Sequence, residues 1–167
     1  MNSDVTFTEI ARDPRLLLAY GFGFGLAPKA PGTFGTLAGI PLAILVMWLP
    51  SLWSVGLLAV LFLVGIPICQ KGAERLGCDD PGAVVWDEIV GYGVAVIAVP
   101  LSIWTLVAGF ALFRLFDITK PWPIGWADKR VHGGLGIMLD DVLAGLMALG
   151  VMHVGLIGVG VKLIPLD

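Results

Sequence analysis

Five stretches of this chain are too apolar for water and too numerous for one soluble core. Residues 34–49 and 52–69 contain no Asp, Glu, Lys or Arg, and Pro50 and Ser51 separate them. Residues 84–99 are interrupted only by Asp87 and Glu88, residues 103–118 by Arg114 and Asp117, and residues 137–161 by Asp140 and Asp141. A helix that crosses a bilayer needs roughly 17–25 mainly apolar residues. Several of these runs are near the lower limit, so tilted or half-inserted segments are compatible with the pattern. The expected architecture is all-α: an integral membrane bundle of about four to five apolar helices, with its site at one end.

Composition supports this reading. The 167 residues are 57% hydrophobic and only 14% charged, and the mean hydropathy is +0.93. About a quarter of a soluble domain is charged, so lipid must solvate the excess apolar surface. The length fits a single domain over residues 1–167, with a polar N-terminal segment at 1–19. Residues 1–15 lack the basic, apolar and cleavage regions of a signal peptide. The net charge of −3 argues against a nucleic-acid partner. Cys69 and Cys78 form no CxxC motif and read as unreactive thiols. Oligomeric state is not legible.

The cations are grouped. Arg12, Arg15 and Lys29 precede the first run, Lys71 and Arg75 follow the second, and Arg114, Lys120, Lys129 and Arg130 cluster around the loop before the last. If the runs cross in order, nearly all of them fall on one side, which the positive-inside rule makes cytoplasmic. That order gives five crossings, a cytoplasmic N-terminus and an external C-terminus. It also puts Asp87, Glu88, Asp117, Asp140 and Asp141 near the cytoplasmic mouth.

Each carboxylate placed in lipid costs about 2.5–3.5 kcal/mol even on lenient scales, so five unpaired ones would cost on the order of ten. Any one of them can be a hydrated helix-end residue, but the two adjacent pairs, Asp87-Glu88 and Asp140-Asp141, are hard to explain by capping alone. Gly91, Ala144 and Gly145 lie four residues beyond acids, on the same helix faces, and would let neighbouring helices approach. Oxygen ligands without a thiolate suit Mg²⁺, Mn²⁺ or Ca²⁺. The Gly- and Pro-rich segment before residue 37 offers Lys29, Thr33 and Thr36 as donors to an anion, although it has no Walker A spacing and a tight packing turn explains it equally well. Arg114 and Asp117 are three apart on one helix face and can pair. Arg114, Lys120 and His132 surround the acids and suit a metal-bound phosphate. His153, within the last run, reads as structural. Trp122 and Trp126 fit an interfacial belt.

Taken together, Pro28-x-x-Pro31-Gly32-Thr33-x-Gly35-Thr36, Val85-Trp86-Asp87-Glu88, Phe113-Arg114-x-x-Asp117-x-x-Lys120-Pro121-Trp122-Pro123 and Val131-His132-Gly133-Gly134-x-Gly136-Ile137-Met138-x-Asp140-Asp141 resemble the phosphatidylglycerophosphatase A family. The resemblance covers about residues 20–150 and shows no departure at the charged motif positions. It implies an all-helical, Mg²⁺-dependent phosphatase of glycerophospholipid synthesis in the bacterial inner membrane. Its substrate would be phosphatidylglycerophosphate and its products phosphatidylglycerol and phosphate. Under this reading Asp87, Glu88, Asp117, Asp140 and Asp141 hold the metal, while Lys29, Thr33, Thr36, Arg114, Lys120 and His132 hold the phosphate. Water attack and a carboxylate nucleophile both remain open. The rivals are a phosphatase or phosphotransferase for another headgroup and, from a different class, an ion or proton transporter. A transporter would need charges at mid-membrane depth and access from both sides.

Overall fold

A computed structural model describes residues 5–158 and 160 of the chain. The end of the last apolar run at Val161, Lys162 and the expected external C-terminus lie outside the described residues. Every regular element among the described residues is helical. Two short helices, α1 (Phe7–Ile10) and α2 (Pro14–Ala19), lead into a 3₁₀ segment, Gly21–Leu26. The Asp13 side chain caps α2 by accepting from the Arg15 backbone N–H at 2.9 Å, and Pro14 fills the first helical position, where no N–H is needed.

Helices α3 (Pro31–Ala38) and α4 (Ile40–Trp48) meet at Gly39 and together form one apolar segment. Helix α5 (Ser51–Leu76) ends at Gly77, whose φ of 65° and N–H bond to the Ala73 carbonyl make a left-handed stop. Helix α7 (Ile103–Thr119) begins with a capping box between Ser102 and Thr105 and ends before Pro121. Helix α8 (Ile124–Arg130) is a short connector, and α9 (Gly133–Gly158) returns through the bundle.

The remaining helix, α6 (Trp86–Ala95), is the core of the molecule. All ten of its residues are buried, and α3, α4, α5, α7 and α9 pack around it. Beyond Asp87 and Glu88 it is apolar all round, and such a helix is either a lipid-solvated span or is enclosed by protein; here it is the latter. Ten residues rise only about 15 Å, half the hydrocarbon thickness. The sequence reading of 84–99 as a crossing is therefore corrected: neighbouring helices, not lipid, solvate this run.

Among the described residues, three segments have the length and apolarity to cross a membrane: Pro31–Trp48, Ser51–Leu76 and Gly133–Gly158. Large apolar side chains stand outward on all three, including Trp48 on α4, Leu52, Trp53 and Leu63 on α5 and Val154 on α9. Helix α7, at 17 residues, also turns Ile103, Trp104 and Val107 outward. The expectation of about four to five apolar helices thus resolves into three long segments, a shorter α7 and an enclosed α6.

Chain direction gathers the charges. The C-terminal end of α5, the first turn of α6, the last turns of α7, all of α8 and the first turns of α9 lie at one end of the bundle. Glycines permit the close approach there. A Cβ on Gly145 of α9 would lie 2.4 Å from the Gly91 carbonyl oxygen of α6, and one on Gly134 would lie 2.0 Å from that of Ile66 on α5. The small residues following the acids are therefore at helix contacts.

Candidate active site

The acids divide into two groups. Asp87 and Glu88, in the first turn of α6, meet Asp141 of α9, with one carboxylate oxygen from each lying within 4.8 Å of the others. All three residues are buried, at 7%, 8% and 2% exposure. Successive helical residues point about 100° apart, so adjacent Asp140 faces elsewhere. It joins Asp80 and Asp128 in a second group of the same tightness, nearer the surface. Asp87 and Glu88 owe their position to α6 being the central helix; Asp140 and Asp141 owe theirs to α9 passing between α6 and α8.

The two groups differ in compensation. In the outer group Lys120 Nζ donates to Asp128 Oδ1 at 2.5 Å and to Asp140 Oδ2 at 2.6 Å. Lys120 ends α7 with a left-handed φ of 43°, and this turn directs its side chain back toward the bundle. Beside the inner group stands Arg114, whose NH1 is 3.7 Å from Glu88 Oε1 but 2.6 Å from Asp117 Oδ2. Asp117 is thus engaged with Arg114, as their spacing suggests. Asp87 Oδ1, Glu88 Oε2, Asp141 Oδ2 and Arg114 Nε are buried without hydrogen-bond partners. Native proteins rarely tolerate such groups, because an unpaired buried charge costs several kcal/mol. Three inward carboxylates with free lone pairs and no thiolate suit a hard divalent cation such as Mg²⁺. Asp87, Glu88 and Asp141 would hold it.

The other sequence candidates are less uniform. Gly32, at the start of α3, lies against this group: a Cβ there would be 2.3 Å from Glu88 Oε1 and 3.0 Å from the Arg114 guanidinium nitrogens. This puts the N-terminal turn of α3 beside the acids and its half-buried Thr33 one residue away. Thr36 is fully buried, and its hydroxyl donates to the Gly32 carbonyl at 2.8 Å, a bond within the helix. Lys29 is exposed on the preceding loop. His132 is exposed and lines a cavity of about 70 Å³ with Asp79, Asp80, Asp128 and Asp140. His153 is remote from the acids, with Nδ1 2.9 Å from the Leu149 carbonyl.

Sequence reasoning missed Asp80, Asp128 and Gln70 as members of this end of the bundle. Gln70 Oε1 accepts from the Gly134 backbone N–H at 2.8 Å and so ties the start of α9 to α5. Asp80 and Asp128 lie in polar connections that read as solvated loops. Their placement opposite Asp140 follows only from how α8 and the 77–85 loop fold back.

An all-helical bundle with long apolar segments and buried carboxylates and cations at one end has the makeup of a membrane enzyme acting on phosphate esters. The comparisons with known proteins specify the group. Residues 17–156 match the family model described as phosphatidylglycerophosphatase A, and the chain belongs to this family of phosphoric monoester hydrolases. It is 44% identical over 144 residues to the Escherichia coli (strain K12) protein named phosphatidylglycerophosphatase A, covering 84% of this chain and 83% of that one. The Haemophilus influenzae protein of the same name is 45% identical, covering 81% and 85%. A Bacteroides thetaiotaomicron protein provisionally named as a phosphatidylinositol-3-phosphatase is 42% identical, covering 78% and 86%. No solved structure matches the chain.

Proposed function

We propose that this protein hydrolyses the terminal phosphate of phosphatidylglycerophosphate, yielding phosphatidylglycerol and inorganic phosphate, with Mg²⁺ as cofactor. The carrying observation is the inner group: three buried carboxylates with unpartnered oxygens, beside Arg114, at one end of an apolar bundle. Asp87, Glu88 and Asp141 would hold a divalent cation, which would supply charge neutralisation for the phosphoryl group and lower the pKa of a water. Arg114, with its Nε unpartnered, is positioned to donate to a phosphoryl oxygen, and Asp117 orients it through their ion pair. Thr33 and Lys29 contribute donors from the α3 side, and Lys120 and His132 from the outer side. In the net reaction a water oxygen bonds to phosphorus, the bond to the glycerol oxygen breaks, and that oxygen takes up a proton. Positioning and fixed charge supply most of the rate enhancement in this scheme.

The protein works in the bacterial inner membrane with this end facing the cytoplasm. The concentration of Arg75, Arg114, Lys120, Lys129 and Arg130 at the acid-bearing end supports that orientation. The Bacteroides relative keeps a second reading open, a phosphatase for an inositol phospholipid monoester. Phosphate release from both lipids by purified protein in detergent, with Mg²⁺ and with chelator, tests the assignment. The expected result is Mg²⁺-dependent release from phosphatidylglycerophosphate, lost by at least about a hundredfold in Asp141→Asn. A preference for the inositol lipid overturns the substrate, and full turnover in chelator overturns the role of the metal.

A further inference from the structure

A groove of about 400 Å³ runs along the bundle between α5 and α9. Val55, Ala59 and Phe62 of α5 form one wall, Val142 and Leu146 of α9 the other, and Val94 of α6 contributes to its floor. Both wall helices are among the segments able to cross a membrane. No water is available at that depth to fill an apolar groove, so its occupant must be apolar too. Three features point to what fills it. First, the groove shares two helices with the inner acids: Val142 directly follows Asp141, and Val94 is seven residues after Asp87 on α6. Helical rise puts Val94 about 10 Å below Asp87 and Leu146 about 7 Å below Asp141. Second, its direction is right, since it leads from the charged end of the bundle toward the middle. Third, it is an open groove lined mostly by large apolar side chains, not the stripe of small residues through which membrane helices associate.

We propose that this groove seats one acyl chain of the phospholipid whose terminal phosphate occupies the inner acid site. In such a lipid a glycerol, a phosphodiester and a second glycerol separate the terminal phosphate from the acyl chains. That spacer spans the stretch between the acids and the groove. The inference rests on the phospholipid-phosphatase reading and adds to it a chain-binding subsite outside the reacting groups. Binding energy gathered there is the same in ground and transition states, so it acts on KM and leaves kcat unchanged.

Ala59→Phe tests this, because Ala59 is an exposed residue whose enlargement fills the groove from the lipid side without entering the core. Val60→Phe, exposed on the same helix but outside the groove, is the control. Both variants and wild type are assayed with dioleoyl and dihexanoyl phosphatidylglycerophosphate in detergent micelles. The expected result is a KM for the dioleoyl substrate raised about tenfold in Ala59→Phe, with kcat, the dihexanoyl substrate and the control all unaffected. Equal effects on both substrates, or none on either, overturn the groove while leaving the headgroup reading intact. If wild type releases phosphate from neither, the headgroup reading fails. A phosphatidylglycerol with a diazirine at mid-chain then decides the groove: labelling of residues 55–63 that Ala59→Phe abolishes supports acyl occupancy. Labelling elsewhere, or crosslinks between two copies through this face, overturns it.

Discussion

Asp141 carries opposing consequences for stability and activity. Its Oδ2 is buried beside Asp87 and Glu88 with no hydrogen-bond partner, so in the metal-free protein three acid groups share a small volume. Burial of this kind persists where function requires it and costs stability elsewhere. Asp141→Asn removes one of these acid groups and keeps the shape. In chelator the variant is expected to melt about 2–4 °C above wild type, the shift that about 1 kcal/mol produces in a chain of this size. Added Mg²⁺ is expected to raise the melting temperature of wild type and leave the variant unmoved, since only a ligand bound by the folded site stabilises it. Thermal unfolding in detergent, monitored by circular dichroism, reads both. A variant less stable than wild type in chelator would show that Asp141 is a structural partner. The sequence disclosed that these acids form a set, because carboxylates are expensive in apolar runs. It did not disclose that neighbours Asp140 and Asp141 serve different groups. That division depends on where α6 and α8 lie around α9, which no local pattern records.

At the level of helices, α6 and α9 meet through glycine on both sides. A Cβ on Gly91 would lie 2.8 Å from the Asp141 carbonyl oxygen, and one on Gly145 would lie 2.4 Å from that of Gly91. Backbone atoms cannot rotate aside, so Gly145→Ala must push the helices apart at the level of the acids. The expected cost is about 1–3 kcal/mol, with loss of activity. Gly150→Ala, on the same helix with open space around it, is expected to be neutral or stabilising by up to about 1 kcal/mol, since alanine is the better helix former. Equal melting temperatures for the two variants would refute the close contact. The glycine spacing was readable beforehand because it follows the acids by one helical turn. The enclosure of α6 was not: beyond Asp87 and Glu88, residues 89–95 are apolar on every face, and such a run looks the same whether protein or lipid surrounds it.

For the whole molecule, orientation in the membrane can be read from the native cysteines. Cys78 is exposed in the loop beside Asp79, at the acid-bearing end, and Cys69 is fully buried. A membrane-impermeant maleimide is expected to label one site per chain in inside-out vesicles and none in intact spheroplasts. Labelling of intact spheroplasts would reverse the orientation. The charge asymmetry behind this expectation was legible in the sequence, as was the all-helical class. The number of crossings was less so, because runs near the length limit can be spans, tilted segments or core.

The position of α6 also constrains how the protein is made. A ribosome delivers α6 before α7 and α9, the helices that close around it. Until α7 and α9 arrive, a ten-residue helix bearing Asp87 and Glu88 lacks the length to span and has only α3, α4 and α5 to pack against. The burial of α6 is therefore expected to be completed only after α7 and α9 have been made. Helix α9 both supplies Asp141 and covers α6, so the inner acid group can form only once that helix has followed α6 out of the ribosome.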